Sequence, residues 1–348
     1  MCCPVLITLT NLYIETCPLD GGLNQYQYNV DFTAGENKDW VMTYGDASYS
    51  KDNGLAFSLS GSGQAPTMQS DFYMFFGTIS AMVRAAPGTG IVSCIILESD
   101  DLDEIDWEWL GGDVNQVQTN YFGKGNTTTY DRGTYVAVAD GTQDVFQNYT
   151  LEWTEAATVW YINGQEVRRL NYADALGGQN YPQTPMRIKL GNWIAADTQN
   201  EGTIEWAGGK PDFDAGPYTM YVQSIDIVNY NPAVTYEYGD LSGDYTSIVK
   251  ANGTISSRVT NNSTKIESSL RQDSENQLSA SNDTASKTTA TATLSPTAFQ
   301  SGLASQSPSA SQGSTIPDPD QQGGALVTSV GPVMGVIMTM MSFFAFIL

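Results

Sequence analysis

The sequence predicts an all-β protein, a two-sheet antiparallel sandwich followed by a disordered stalk. Three observations carry that expectation. Residues 19–231 are rich in Tyr, Trp, Phe, Val and Ile; Gly, Pro and Asn interrupt them at short intervals; and the βα alternation of a parallel sheet is missing from them. Residues 72–83, 91–97 and 186–194 read as strands. Residues 158–168 read as a hairpin, with Asn163-Gly164 supplying the type I′ turn that matches strand twist. Residues 172–176 show the one short helical period. No internal repeat is visible.

From about residue 240 the composition turns to Ser, Thr, Asn, Gln and Ala with almost no aromatics, too little apolar surface to fold. Residues 232–322 are therefore expected to be a flexible, O-glycosylated stalk. Sequons at Asn126, Asn148, Asn252, Asn261, Asn262 and Asn282 are open to N-glycosylation in a secreted chain. Residues 333–348 are apolar and short for a spanning helix, which needs about 20 residues. Small residues at Gly323-Gly324-Ala325 and a spacer precede them. The pattern is that of a glycosylphosphatidylinositol signal over 323–348, removed on maturation, with Gly323 as the attachment residue. An ordinary tail anchor is the alternative. Residues 1–18 are moderately apolar but lack a basic flank, so they read as a poor or truncated export signal. A lipid anchor requires passage through the secretory pathway, so the expected location is extracellular, at the outer face of the plasma membrane.

Charge and composition exclude several functions. With 15 basic and 38 acidic residues the net charge is -23, which repels nucleic acid. The chain contains no histidine, which removes Ser-His-Asp and Cys-His nucleophile systems. Cys2, Cys3, Cys17 and Cys94 do not have zinc-site spacing, and no motif implies a metal or organic cofactor. Cys94, inside a strand, is expected to be a small buried thiol. Catalysis must then rest on carboxylates.

Asp103-Glu104-Ile105-Asp106-Trp107-Glu108-Trp109 supplies them. With period two, Ile105, Trp107 and Trp109 face one way and Glu104, Asp106 and Glu108 the other. Three like charges on one strand face raise one another's pKa and cost stability, which a purely structural strand has no reason to accept. Retaining glycosidases need two carboxylates about 5–5.5 Å apart, one as nucleophile and one as acid/base. The Cα atoms of Glu104 and Glu108 are expected about 13 Å apart, a gap that two inward-leaning side chains close. Asp106 between them can hydrogen-bond the nucleophile, and its charge can hold a proton on the acid.

These residues resemble the ExDxE signature of glycoside hydrolase family 16, a β-jelly-roll, concanavalin-like family of retaining enzymes. The longer string from Asp100 to Asp113 is similar to its fungal Crh branch, the cell-wall chitin-glucan transglycosylases. Further similar segments are 85–90, 118–125, 171–176 and 202–209, and the resemblance spans roughly residues 17–231. It implies Glu104 as nucleophile, Glu108 as acid/base and Asp106 as the assisting residue. It also implies a chitin donor, a β-glucan or chitin acceptor, and work in the fungal cell wall.

A glycan cleft also needs aromatic platforms and polar donors. Alternation along 187–193 puts Arg187, Lys189, Gly191 and Trp193 on one face. If that face lines the cleft, Lys189 donates hydrogen bonds and Trp193 stacks a sugar; otherwise Trp193 is core and Lys189 surface. The resemblance favours the cleft, and adds Thr203 and Trp206 from a neighbouring strand as substrate contacts beside Glu108. Gln69, Arg84 and Tyr121 are weaker candidates. Family members usually carry a close cysteine pair before this domain; Cys17 matches its second half, but no cysteine stands at the usual distance upstream. The motif does not separate transfer from hydrolysis of chitin or β-glucan by the same glutamates, and a non-catalytic glycan-binding sandwich is the reading from another class.

Overall fold

A computed structural model of the chain describes residues 18–252. Two antiparallel sheets dominate it. The first runs, strand by strand, Thr134–Ala137, Gln116–Phe122, Glu104–Leu110, Ile91–Ser99, Met186–Ile194, Thr67–Ser70, Trp40–Tyr44. The second runs Gln165–Asn171, Ala157–Ile162, Gln147–Trp153, Gly77–Arg84, Tyr218–Asn229, Gly54–Leu59, Ser48–Ser50, with Gln27–Asp31 also paired to Tyr218–Asn229. Apolar residues of both sheets form one buried core. The all-β sandwich read from the sequence is the observed architecture.

The elements follow from local chemistry. Asn163 and Gly164 take positive φ of 51° and 79°, as a type I′ turn requires, and join Ala157–Ile162 to Gln165–Asn171. The strand expected over 72–83 begins only at Gly77. Residues 72–76 are buried aromatics and Met74 that make only isolated bridges, Tyr73 with Gly22 and Met74 with Met186. Gly77, at φ 150°, lies so close to Val228 that a Cβ would sit 2.1 Å from its carbonyl oxygen, which fixes where the strand starts. The helical period at 172–176 becomes two short 3-10 turns, Tyr172–Asp174 and Leu176–Gly178.

The folded part continues past residue 231, where the stalk was expected to start. A third small sheet pairs Asp20–Gly21 with Thr235–Tyr238, and that strand with Ile248–Ala251. Tyr236 is fully buried and donates its hydroxyl to the Asn231 carbonyl at 2.8 Å. The Gly, Ser and Asp residues between 239 and 247 dilute the apolar signal of the two strands they join. The export-signal, lipid-anchor and Gly323 expectations, the sequons at Asn261, Asn262 and Asn282, and Cys2, Cys3 and Cys17 lie outside the described residues.

Candidate active site

The strand Glu104–Leu110 sits third from the edge of the first sheet, paired on both sides. Its two faces separate as the alternation predicts. Trp107 and Trp109 stack on each other (6.3 Å between ring centroids), and both meet Tyr149 of the second sheet edge-on at 5.3 and 4.7 Å. The indole N–H of Trp160 donates to the Asp106 carbonyl at 3.2 Å, so the second sheet also holds the strand's backbone. Just upstream, the fully buried Asp103 accepts from the backbone N–H groups of Lys124, Gln183 and Thr184 and from the Thr184 hydroxyl, all within 3.0 Å. This clamp fixes where the strand begins.

The opposite face carries Glu104, Asp106 and Glu108. Residues directly opposite one another in an antiparallel ladder share a face, so the register gives the surroundings row by row. Glu108 lies between Gln118 and Cys94, with Tyr135 beyond Gln118 and Gly191 beyond Cys94. Asp106 lies between Asn120 and Ile96, with Lys189 and then Gln69 beyond. Glu104 lies between Phe122 and Glu98, with Arg187 beyond. Lys189 forms an ion pair with Glu98.

Burial shapes the titration of this row. It pushes the Glu108 carboxyl up to about 8, with the Glu104 charge adding to it. Asp106, 2% exposed, is raised well above the carboxylate range by burial, then by Glu104 and Glu108, and it hydrogen-bonds Glu104. The expectation that the charge of Asp106 holds the proton on Glu108 needs correction: burial and Glu104 do so. Asp106, raised in this way, is joined to Glu104 by a side-chain hydrogen bond. Beside Glu108 on the neighbouring strand, the Cys94 thiol is free, buried and raised by burial, donating to the Gly191 carbonyl at 3.6 Å.

The remaining candidates divide. Trp193 and Trp206 are half-buried and stack on each other at 6.1 Å and 22°, over a small apolar cluster of Val92, Leu110, Ala195 and Ala207. The segment carrying Thr203 and Trp206 is a short α-helix, Glu201–Trp206, and not a strand. Asn200 caps it, its side-chain oxygen accepting from the Thr203 N–H at 3.1 Å. Thr203 is itself 5% exposed. Gln69 shares the row of Lys189. Arg84 belongs to the second sheet, against Phe146 and Tyr221, and Tyr121 lies opposite Ile105 on the core side; neither joins the carboxylates. Tyr135, unmarked in the sequence reading, is 43% exposed and hydrogen-bonds Trp206 and Gln118. Among the described residues no group of His, Cys, Asp and Glu could hold a metal ion. Asn126 and Asn148 are half-buried and Asn252 is exposed.

Residues 34–208 match the family model described as Glycosyl hydrolases family 16. Crh-like protein 1 of Aspergillus fumigatus is 52% identical over 70% of this chain and 68% of its own length. Crh-like protein 5 of the same species is 54% identical over 69% of this chain and 61% of its own length. Crh-like protein 2 of Botryotinia fuckeliana is 46% identical over 74% of this chain and 58% of its own length. The chain thus spans about three fifths of the last two. Among solved structures, a Crh5 transglycosylase in complex with NAG is 55% identical, with a TM-score of 0.66, over 68% of this chain and 97% of that one. Extensive identity and a shared fold over the carboxylate-bearing sheet place the chain in glycosyl hydrolases family 16, as an enzyme among its Crh-like members.

Proposed function

We propose that the protein is a retaining transglycosylase that cleaves chitin and passes the fragment to a β-glucan or chitin acceptor. The observation that carries this reading is the row of half-buried Glu104, buried Asp106 and half-buried Glu108, in which one glutamate is built to hold a proton near neutral pH. A carboxyl that titrates at about 8 is protonated at pH 7 and can donate to a leaving glycosidic oxygen. Glu104, steadied by Asp106, attacks the anomeric carbon and forms the glycosyl-enzyme bond as the carbon–oxygen bond breaks. Glu108, now ionised, takes the proton of the incoming acceptor hydroxyl, whose oxygen displaces Glu104. Lys189 and Trp193 are the proposed donor contacts, with Trp206 stacked behind Trp193. Thr203 belongs to the same group of proposed contacts, acting from the helix that carries Trp206.

Similarity to the Crh5 transglycosylase supports transfer over hydrolysis. We further propose that the chain is secreted, N-glycosylated at its sequons, and held at the cell wall and outer membrane face by a lipid anchor at Gly323. Incubation with chitin oligosaccharides and a labelled β-glucan acceptor tests the function. Labelled products longer than the acceptor are expected, and products that are only shorter would make the protein a hydrolase. Unchanged substrates with retained binding would make it a glycan-binding module.

A further inference from the structure

Glu98 is a fourth carboxylate on the face of the three just described. It lies directly opposite Glu104 on one side and Arg187 on the other, and at 8% exposure it is not a solvated surface group. A carboxylate taken out of water costs several kcal/mol unless it is paired. Two cations stand near enough to choose from. The Arg187 guanidinium turns away onto the ring of Tyr73, 4.5 Å from its centroid, and Lys189, one row along, donates its ammonium to Glu98. Lys189 lies opposite Ile96, which lies opposite Asp106. The ion pair therefore runs diagonally beside the row of Glu104, Asp106 and Glu108, and its two charges nearly cancel there.

The other charged or titratable groups around this assembly are the Cys94 thiol, whose charged form burial opposes, the Tyr135 phenol in the Glu108 row, Arg187 beyond Glu98, and Arg168 of the second sheet, which acts on Asp106 from the core side. Glu98 itself adds to the upward push on Asp106. Removing either member of the pair leaves a net charge of one sign within the low-dielectric floor of the site, where it is weakly screened.

We propose that Glu98 is a positioning residue which, paired with Lys189, fixes the ammonium beside the carboxylate row and sets the pH at which Glu108 gives up its proton. The role rests on Glu108 being the acid of the reaction. Glu98→Gln removes a negative charge and keeps the Lys189 ammonium beside the carboxylate row, which favours ionised neighbours. Lys189→Met leaves Glu98 as an uncompensated anion, which disfavours them. The double variant removes both charges.

The test is the alkaline limb of kcat/KM, measured with chitin oligosaccharides for the wild type, Glu98→Gln, Lys189→Met and the double variant, each with its melting temperature. Glu98→Gln is expected to move the limb to lower pH by about half a unit or more, Lys189→Met to move it higher by a similar amount, and the double variant to return it toward the wild-type position. A purely structural ion pair would lower melting temperature and the height of the profile while leaving the limb in place, and that result overturns the proposal. If Glu98→Gln does not fold, an unmoved limb in Lys189→Met overturns it equally. A limb that persists when Glu108 is replaced by Gln would instead overturn the reading of Glu108 as acid.

Discussion

The two faces of the seven-residue strand Glu104–Leu110 are covered differently, the apolar one fully and the acidic one only at Asp106, with Glu104 and Glu108 half-buried, and loss of water does opposite things to them. Ile105, Trp107 and Trp109 lose water in the core, the two tryptophans packing against Tyr149, which stabilises the sandwich. Asp106 and Glu108 lose water and keep protons that solvent would strip from them. One strand thus anchors the core and raises the carboxyls on its other face, so a single exclusion of water serves both.

The largest expected effect lies on the carboxylate face alone. Glu104→Gln and Glu108→Gln should each lower turnover by about a thousandfold or more, as loss of a nucleophile or general acid does, with unchanged circular dichroism. Near-normal rates in either variant would end the comparison. The counterpart on the other face is Trp109→Ala. Emptying that fully buried site should cost about 3–5 kcal/mol, lowering the melting temperature on the order of 10 °C. The alkaline limb of the enzyme that remains folded should not move; a shifted limb would show that the faces are not separable.

Asp106→Asn keeps the shape of the site but alters its hydrogen bond to Glu104. A loss of about 10–100-fold is expected, read from single-turnover rates of glycosyl-enzyme formation; complete loss would give Asp106 a chemical role of its own. Trp193 shares traits of both faces, stacked on Trp206 yet half open. Trp193→Ala should cut chitin-oligomer turnover by about tenfold, roughly 1.4 kcal/mol, and an unchanged rate would assign it wholly to packing.

The smallest effect is on stability. The native pKa of Glu108 is raised from the ordinary 4.5 to about 8, so the native state binds its proton more tightly than the unfolded chain does. That contribution is fully present below about 4.5 and is lost as pH rises through about 8. Asp20, raised to about 8 chiefly by burial, acts in the same direction. Melting temperature should therefore be a few degrees higher at pH 5 than at pH 9, and Glu108→Gln should flatten the profile. An equally steep decline in that variant would move the cause to other groups.

The carboxylate strand was legible in the sequence because one of its faces is apolar and the other acidic, which gives period two a contrast to act on. Glu98 was not, because every residue of Ile91–Ser99 is buried and alternation vanishes when both faces are covered. Tyr135 reaches the Glu108 row only through two successive ladder registers, which no single stretch of chain contains. The helix Glu201–Trp206, at six residues, is too short to show its period. The sandwich itself needed none of these, since composition and turn spacing specify it.

The small third sheet makes the domain nearly a ring. Gly21 and Ala251 both flank Thr235, one on each side, so the two ends of the described residues lie only about 10 Å apart across three strands. A few glycines would bridge that gap, and new ends could be opened at the exposed Asn163-Gly164 turn without severing a strand of the carboxylate-bearing sheet. The order in which the chain visits its strands is thus separable from the arrangement they reach.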